Sequence, residues 1–239
     1  MKKIRPSFLN DYNSCPRFSV EKDEDDFNPK VTYIWTILHQ YARWVDSNIF
    51  LDYIGNKLNL RPVEKHNLKK LWNNARKFCK ELISWSEWYW TEITMQYYLA
   101  DDWYKDYYIE WTSDLVIIES HKELNLYDWK SCSSSSNYRD WKIREENMQH
   151  YVYSFLAMEY MWFTKCKFSY VPLVKNWRAD VEIYTIEIDY ATAKEKTLSS
   201  CRSYIFDQEL DSYEEKRCSK CFFCPIAKKW LCNTFKKKG

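Results

Sequence analysis

The chain has 239 residues, enough for one large domain, and it is 46% hydrophobic and 29% charged, which excludes a disordered or low-complexity polymer. Lys and Arg number 36 against 34 Asp and Glu, a net charge of +2, so a general polycation is excluded and any nucleic-acid contact must come from local basic patches. No window approaches the roughly 18 apolar residues of a membrane span. Lys2 and Lys3 are not followed by an apolar leader. The expectation is a cytosolic protein without membrane contact, in which nine cysteines point to metal binding rather than disulfides.

In chain order, residues 6 to 15 read as a short helix ending at "CPRF", and the acidic run 20–28, "VEKDEDDFN", reads as a solvated loop. Trp35, Leu38, Ala42, Val45 and Ile49 recur at helical spacing between Thr32 and Phe50. A second helix runs from Glu64 to Trp85 through Leu68, Leu71, Ala75, Phe78 and Leu82. Strand signals begin near Thr91 and cover "TEITMQYYLA", "YYIEWTSDLVIIES" and "LNLYDWKSC". A polar loop, "SSSSN", precedes a helix from Asp140 to Met161. The strands "FSYVPLV" and "VEIYTIEID" follow, then a helix from Tyr190 to Gln208 and a cysteine-rich tail ending in "KKKG". Helices, then a meandering sheet, then helices indicate an α/β or α+β domain.

Charge interrupts this pattern in "LYDWKSC". Alternation puts Leu124, Leu126, Asp128 and Lys130 on one face of a strand, apolar at one end and charged at the other. A hairpin around "SHK" (120–122) that pairs Glu119 with Glu123 puts Asp114 directly opposite Asp128. Opposed residues have Cβ atoms roughly 4.5–5.5 Å apart. Two carboxylates that close repel unless a divalent cation lies between them. Lys130 points into the same space. Such a group suits phosphodiester hydrolysis: the acids hold Mg²⁺ or Mn²⁺, and the ammonium orients water or stabilises charge on the phosphoryl group.

Cys218, Cys221, Cys224 and Cys232 form a second cluster. Spacing of the C-x2-C type puts two thiolates on one metal, and Zn²⁺ is the plain reading. Cys79, Cys132, Cys166 and Cys201 have no partners by spacing and read as small packed residues. Arg139, Lys142 and Arg144, with Tyr138 and Trp141 between them, and the terminal lysines are candidate DNA contacts.

Taken in order, these motifs resemble the PD-(D/E)XK nucleases, in particular the RecB-like branch that includes AddB and the CRISPR-adaptation nucleases. "SCPRF" supplies Cys15, "TILHQYARW" supplies His39, "WTSDLVI" supplies Asp114, and "DWK" supplies Asp128 and Lys130. "QHYVY" supplies Gln149 and Tyr153, four apart on one helix face, and "CFFCPIAKKWLC" supplies Cys221, Cys224 and Cys232. The resemblance implies an α/β restriction-endonuclease-like core, a central mixed sheet flanked by helices, over a single domain 1–239. It implies a metal-dependent DNA nuclease, an exonuclease acting on DNA ends or single strands in recombination, replication or repair.

His39, Asp114 and Asp128 would then bind Mg²⁺ or Mn²⁺, and Gln149 and Tyr153 would position lysine and phosphate. Glu92 is a secondary acidic candidate. The resemblance further implies a [4Fe–4S] cluster on Cys15, Cys221, Cys224 and Cys232, with Cys218 as the alternate ligand. That cluster would join segments 1–30 and 209–239 as a clasp around the core. A helicase, recombination or integrase protein is the implied partner beside DNA.

Three departures stand out. Thr112 replaces the glycine usual two residues before the first Asp, His150 replaces an apolar residue, and seven residues rather than five separate Cys224 from Cys232. The rival readings are a non-catalytic iron–sulfur DNA-binding or adaptor module and a CRISPR-adaptation nuclease that trims spacers.

Overall fold

Eleven consecutive residues, Met148 to Met158, are buried, and the other elements surround the helix that carries them. A helix apolar on all sides has no face for solvent and must be enclosed. The computed structural model describes residues 1–21, 52, 55–99, 104–119, 123–132, 147–174, 181–215, 224 and 232. In chain order these form β1 (Lys2–Ile4), α1 (Pro6–Ser14), α2 (Pro16–Glu21), α3 (Pro62–Ser84), β2 (Trp88–Thr91), β3 (Thr94–Tyr98) and β4 (Tyr107–Thr112). They continue with β5 (Leu115–Glu119), β6 (Glu123–Cys132), α4 (Met148–Met161), β7 (Lys165–Val174), β8 (Tyr184–Asp189) and α5 (Tyr190–Glu209).

Two mixed sheets result, a five-stranded one in the order β2-β5-β6-β7-β8 and a three-stranded one in the order β1-β4-β3. In the larger sheet β6 and β7 are parallel and the other neighbours antiparallel. The expectation of a mixed sheet flanked by helices is met. Alternation along β6 sends Leu124 and Leu126 into a core with Val152, Phe155 and Phe168 on the α4 side, and Tyr127 and Trp129 into a second core on the α3 side. There Leu68, Leu71, Trp72, Ala75 and Cys79 of α3 meet Leu115, Ile117, Val171 and Leu173 of the sheet. The α3 span agrees with the periodicity of its sequence, with Pro62 at its first turn.

The stretch "YYIEWTSDLVIIES", which reads as one strand, is divided between the two sheets. Trp88 pairs with Ile118 and Thr91 with Leu115, while Thr94 pairs with Thr112 and Tyr98 with Tyr108. Both sets share one register, so β2–β3 and β4–β5 are the arms of a single ribbon bent at Glu92–Ile93 and Ser113–Asp114. Glu92 makes the corner by adopting a left-handed backbone, φ 56°, and Ser113 N donates to Ile93 O at 2.9 Å. Period-2 alternation persists through such a bend, which is why the sequence pattern does not reveal it. The ribbon also starts earlier than expected, at Trp88 rather than near Thr91.

The helix expected from Asp140 begins instead at Met148. Asn147 is extended and its side chain accepts from Gln149 N at 3.1 Å, which ends the helix on that side. Asn10 of α1 adds a second cap, accepting from Met148 N at 3.1 Å. Cys15, also extended, separates α1 from a further short helix, α2, whose last two residues fall in the run 20–28 expected as a loop. The expected helix 32–50 and the serine loop 133–137 lie outside the described residues. Among the described residues no helix is long and apolar enough to cross a membrane.

Asn147 also donates to Tyr170 Oη at 3.1 Å, so it links the start of α4 to β7. Asn147→Ala removes a buried cap and a buried hydrogen bond together, and should cost about 2 kcal/mol of stability in urea denaturation. A change below about 0.5 kcal/mol would show that the cap is not holding α4 in place.

Candidate active site

The β5–β6 hairpin pairs Glu119 with Glu123 and Leu115 with Tyr127, the register expected from the sequence. One residue further along, Asp114 lies opposite Asp128. Both belong to the α4 face by alternation, with Val116 on one strand and Leu126 on the other, and both are 3% exposed. Their directions are fixed differently. Asp114 Oδ2 accepts from the Trp129 backbone N–H at 2.7 Å, so the carboxylate closes the ladder where the ribbon bends away. Asp128 is gripped by Lys130, whose Nζ lies 3.0 Å from Oδ1 and 2.7 Å from Oδ2. The lysine side chain is only 15% exposed, so the pair is largely withdrawn from solvent.

Helix α4 forms the floor. Tyr153 is buried there, and its hydroxyl is pushed well above the usual phenol range, first by burial and then by the negative fields of Asp128 and Asp114. It therefore stays protonated and able to donate. Gln149, one turn earlier, is buried, and its Oε1 has no hydrogen-bond partner among the described residues. A buried carbonyl oxygen left in that condition needs a donor, from water, substrate or a neighbouring ammonium. His150 packs against Tyr151, Phe168 and Tyr170.

Glu92 belongs to the same corner. Extending the β2–β5 register by one residue puts it beside Asp114, on the strand opposite β6. The structure also adds a residue that the sequence reading missed. Trp111 of β4 stacks flat on Tyr153, with ring centroids 4.2 Å apart and planes 6° apart, and so fixes the phenol's orientation. Only the bend of the ribbon brings β4 over α4, so no local signal marks Trp111. His39, Cys218, Cys221, Arg139, Lys142 and Arg144 lie outside the described residues.

Cys15, Cys224 and Cys232 are all buried. The first and last segments are tied together nearby: Arg17 N donates to Glu214 O at 3.2 Å, and Tyr12 Oη donates to Asp207 Oδ2 at 2.6 Å. Cys79, Cys166 and Cys201 are buried as expected of small packed residues. Burial raises all three thiols, Cys79 and Cys166 to about 12.

The donor sets suit two different kinds of ion. Carboxylate oxygens fit a hard cation such as Mg²⁺ or Mn²⁺, and thiols fit iron–sulfur or zinc, but among the described residues no three His, Cys, Asp or Glu side chains gather as a metal ion needs.

No protein-family model and no curated protein matches the chain. A protein of Eubacterium rectale, provisionally named an exonuclease, is similar in structure, with a TM-score of 0.60 at 12% identity over 93% of this chain and 86% of that one. The protein SSO0001 aligns over 98% of this chain and 87% of its own at 14% identity, but its TM-score of 0.44 carries no argument about the fold. At such identities the likeness concerns architecture alone: a mixed α/β chain whose two sheets and flanking helices are consistent with a restriction-endonuclease-like core.

Lys130→Met leaves the Asp128 carboxylate buried without its cation, and should cost about 3 kcal/mol in urea denaturation of metal-free protein. Adding Asp128→Asn should recover most of that loss. If the single and double variants were equally stable, the two side chains would not form the pair described.

Proposed function

We propose that this chain is a metal-dependent deoxyribonuclease of the PD-(D/E)XK type, RecB-like branch, acting as an exonuclease on DNA ends or single strands. One arrangement carries the reading: the β5–β6 register, extended by one residue, sets Asp114 opposite Asp128, and Lys130 is bound to the second acid.

Asp114 and Asp128 would hold Mg²⁺ or Mn²⁺, with His39 as the nitrogen donor that the motif order assigns. When bound, such an ion polarises a phosphoryl oxygen and makes water a stronger nucleophile. The remaining chemistry belongs to the chain. Hydrolysis forms a phosphorus–oxygen bond from water and breaks the one to the leaving sugar oxygen, which ends protonated.

Lys130 supplies the fixed positive charge that offsets negative charge gathering on the phosphoryl oxygens, and its anchoring to Asp128 holds it at the reaction point. Gln149 Oε1 accepts from the attacking water or from the ammonium, and its amide nitrogen can donate to the phosphate. Tyr153, kept as a phenol and clamped by Trp111, donates to a phosphate oxygen without adding charge. Glu92, at the corner, would supply a further acidic oxygen.

A single domain, closed by a clasp of the first and last segments, completes the proposal. Cys15, Cys224 and Cys232, with Cys221 or alternatively Cys218, would hold a [4Fe–4S] cluster. The Arg17–Glu214 and Tyr12–Asp207 bonds between the first and last segments support such a closure. Because an unfolded chain has no such site, ligation energy becomes folding energy. A helicase, recombination or integrase partner would then deliver the DNA.

With Mn²⁺ and end-labelled DNA, the purified protein should release short products, and Asp128→Asn or Lys130→Ala should lower the rate at least about a hundredfold. Binding without cleavage would leave only the adaptor reading. Anaerobically purified protein should be brown, and Cys15→Ser should lose the visible absorption and melt at lower temperature. A colourless protein with one equivalent of zinc would replace the cluster with Zn²⁺.

A further inference from the structure

Away from the two acids, the surface of α3 and the edge strand β2 form a second feature that the catalytic reading does not use. Helix α3 carries six Lys and Arg against two Glu. Lys65, Lys69, Arg76 and Lys80 recur at intervals of four and seven residues, so they lie along one side of the helix, about a quarter turn from the core stripe of Leu68, Leu71, Trp72, Ala75 and Cys79. From Lys65 to Lys80 the stripe is about 22 Å long.

The helix ends at Trp85, which is 84% exposed, and the chain turns directly into β2, where Trp88 is 58% and Tyr89 45% exposed. An isolated exposed ring needs no explanation, but three within five residues at the end of a basic stripe do. Among the described residues, strand β2 is the edge of the larger sheet and pairs only with β5. Trp88 shares the sheet face of Asp114, because it pairs with Ile118, four residues from that acid. The separation along the strand is about 13 Å. Tyr89 turns to the other face, towards α3.

We infer that α3 and β2 form a track for an unpaired DNA strand that leads over the sheet edge to Asp114 and Asp128, with phosphates along the lysine stripe and bases stacked on Trp85, Trp88 and Tyr89. The inference rests on the nuclease reading for what happens at the end of the track, but not for binding itself. Charge sets the occupant as a polyanion. The rings select unpaired strands, since a base inside a duplex has no free face to stack on an aromatic side chain, whereas every unpaired base does. A protein strand adding to the β2 edge would use the rings but has no need of the lysines.

The test measures binding, by fluorescence anisotropy in the presence of a chelator, of a labelled single-stranded oligonucleotide and of the duplex made by annealing its complement. Trp85→Ala combined with Trp88→Ala should weaken binding of the single strand about tenfold or more and leave the duplex nearly unaffected. Lys69→Glu combined with Lys80→Glu should weaken both and flatten the dependence of affinity on salt. This second pair lies on the solvent side of the helix and carries the test if the alanine pair fails to fold. Single-strand affinity within twofold of the parent in both pairs would overturn the inference. So would a parent dimer, seen by sedimentation, that the tryptophan changes dissociate. Binding through these side chains with no cleavage under Mn²⁺ would defeat the nuclease proposal and leave the track standing. Cleavage with unaltered binding in the variants would do the reverse.

Discussion

A slip of one residue between β5 and β6 would turn Asp128 towards α3 and leave Asp114 opposite a tryptophan. The register is therefore the constraint on which the site depends, and it is held from both sides of the sheet. Leu124 and Leu126 fill the α4 core while Tyr127 and Trp129 fill the α3 core. Slipping would exchange the two sets and leave large rings where aliphatic side chains fit. The Trp129 N–H adds a direct lock by donating to Asp114 itself.

The bent ribbon explains why charge is tolerated there. Along β4 and β5 the pattern is apolar on both sides of Ser113–Asp114, and at the bend the ladder opens. Backbone groups at that corner need partners, which Asp114 and Ser113 provide. The bend thus sets Asp114 at the end of the ladder beside the Trp129 N–H, while α4 brings two buried polar groups, Gln149 and Tyr153, among apolar neighbours.

Much of this was legible in the sequence because it depends on local periods. The charged end of "LYDWKSC", the short turn after Glu119 and the strict alternation of β6 were enough to pair Asp114 with Asp128. The spans of α3 and α5 follow from helical spacing and the proline and Asp189 caps. Features set by distant partners were not legible. Asn147 starts α4 with help from Asn10 of α1, far away in the chain. The corner at Glu92 uses a left-handed residue that is not glycine, and Trp111 reaches Tyr153 only because the ribbon bends. In each case the deciding contact lies in a different element from the residue it controls.

The most direct measurement is anomalous diffraction at the manganese edge from crystals grown with Mn²⁺. The expected result is a strong peak bounded by the carboxylates of Asp114 and Asp128, absent in Asp128→Asn. A peak elsewhere, or no peak while the two acids remain side by side, would contradict a cation-dependent centre on this hairpin.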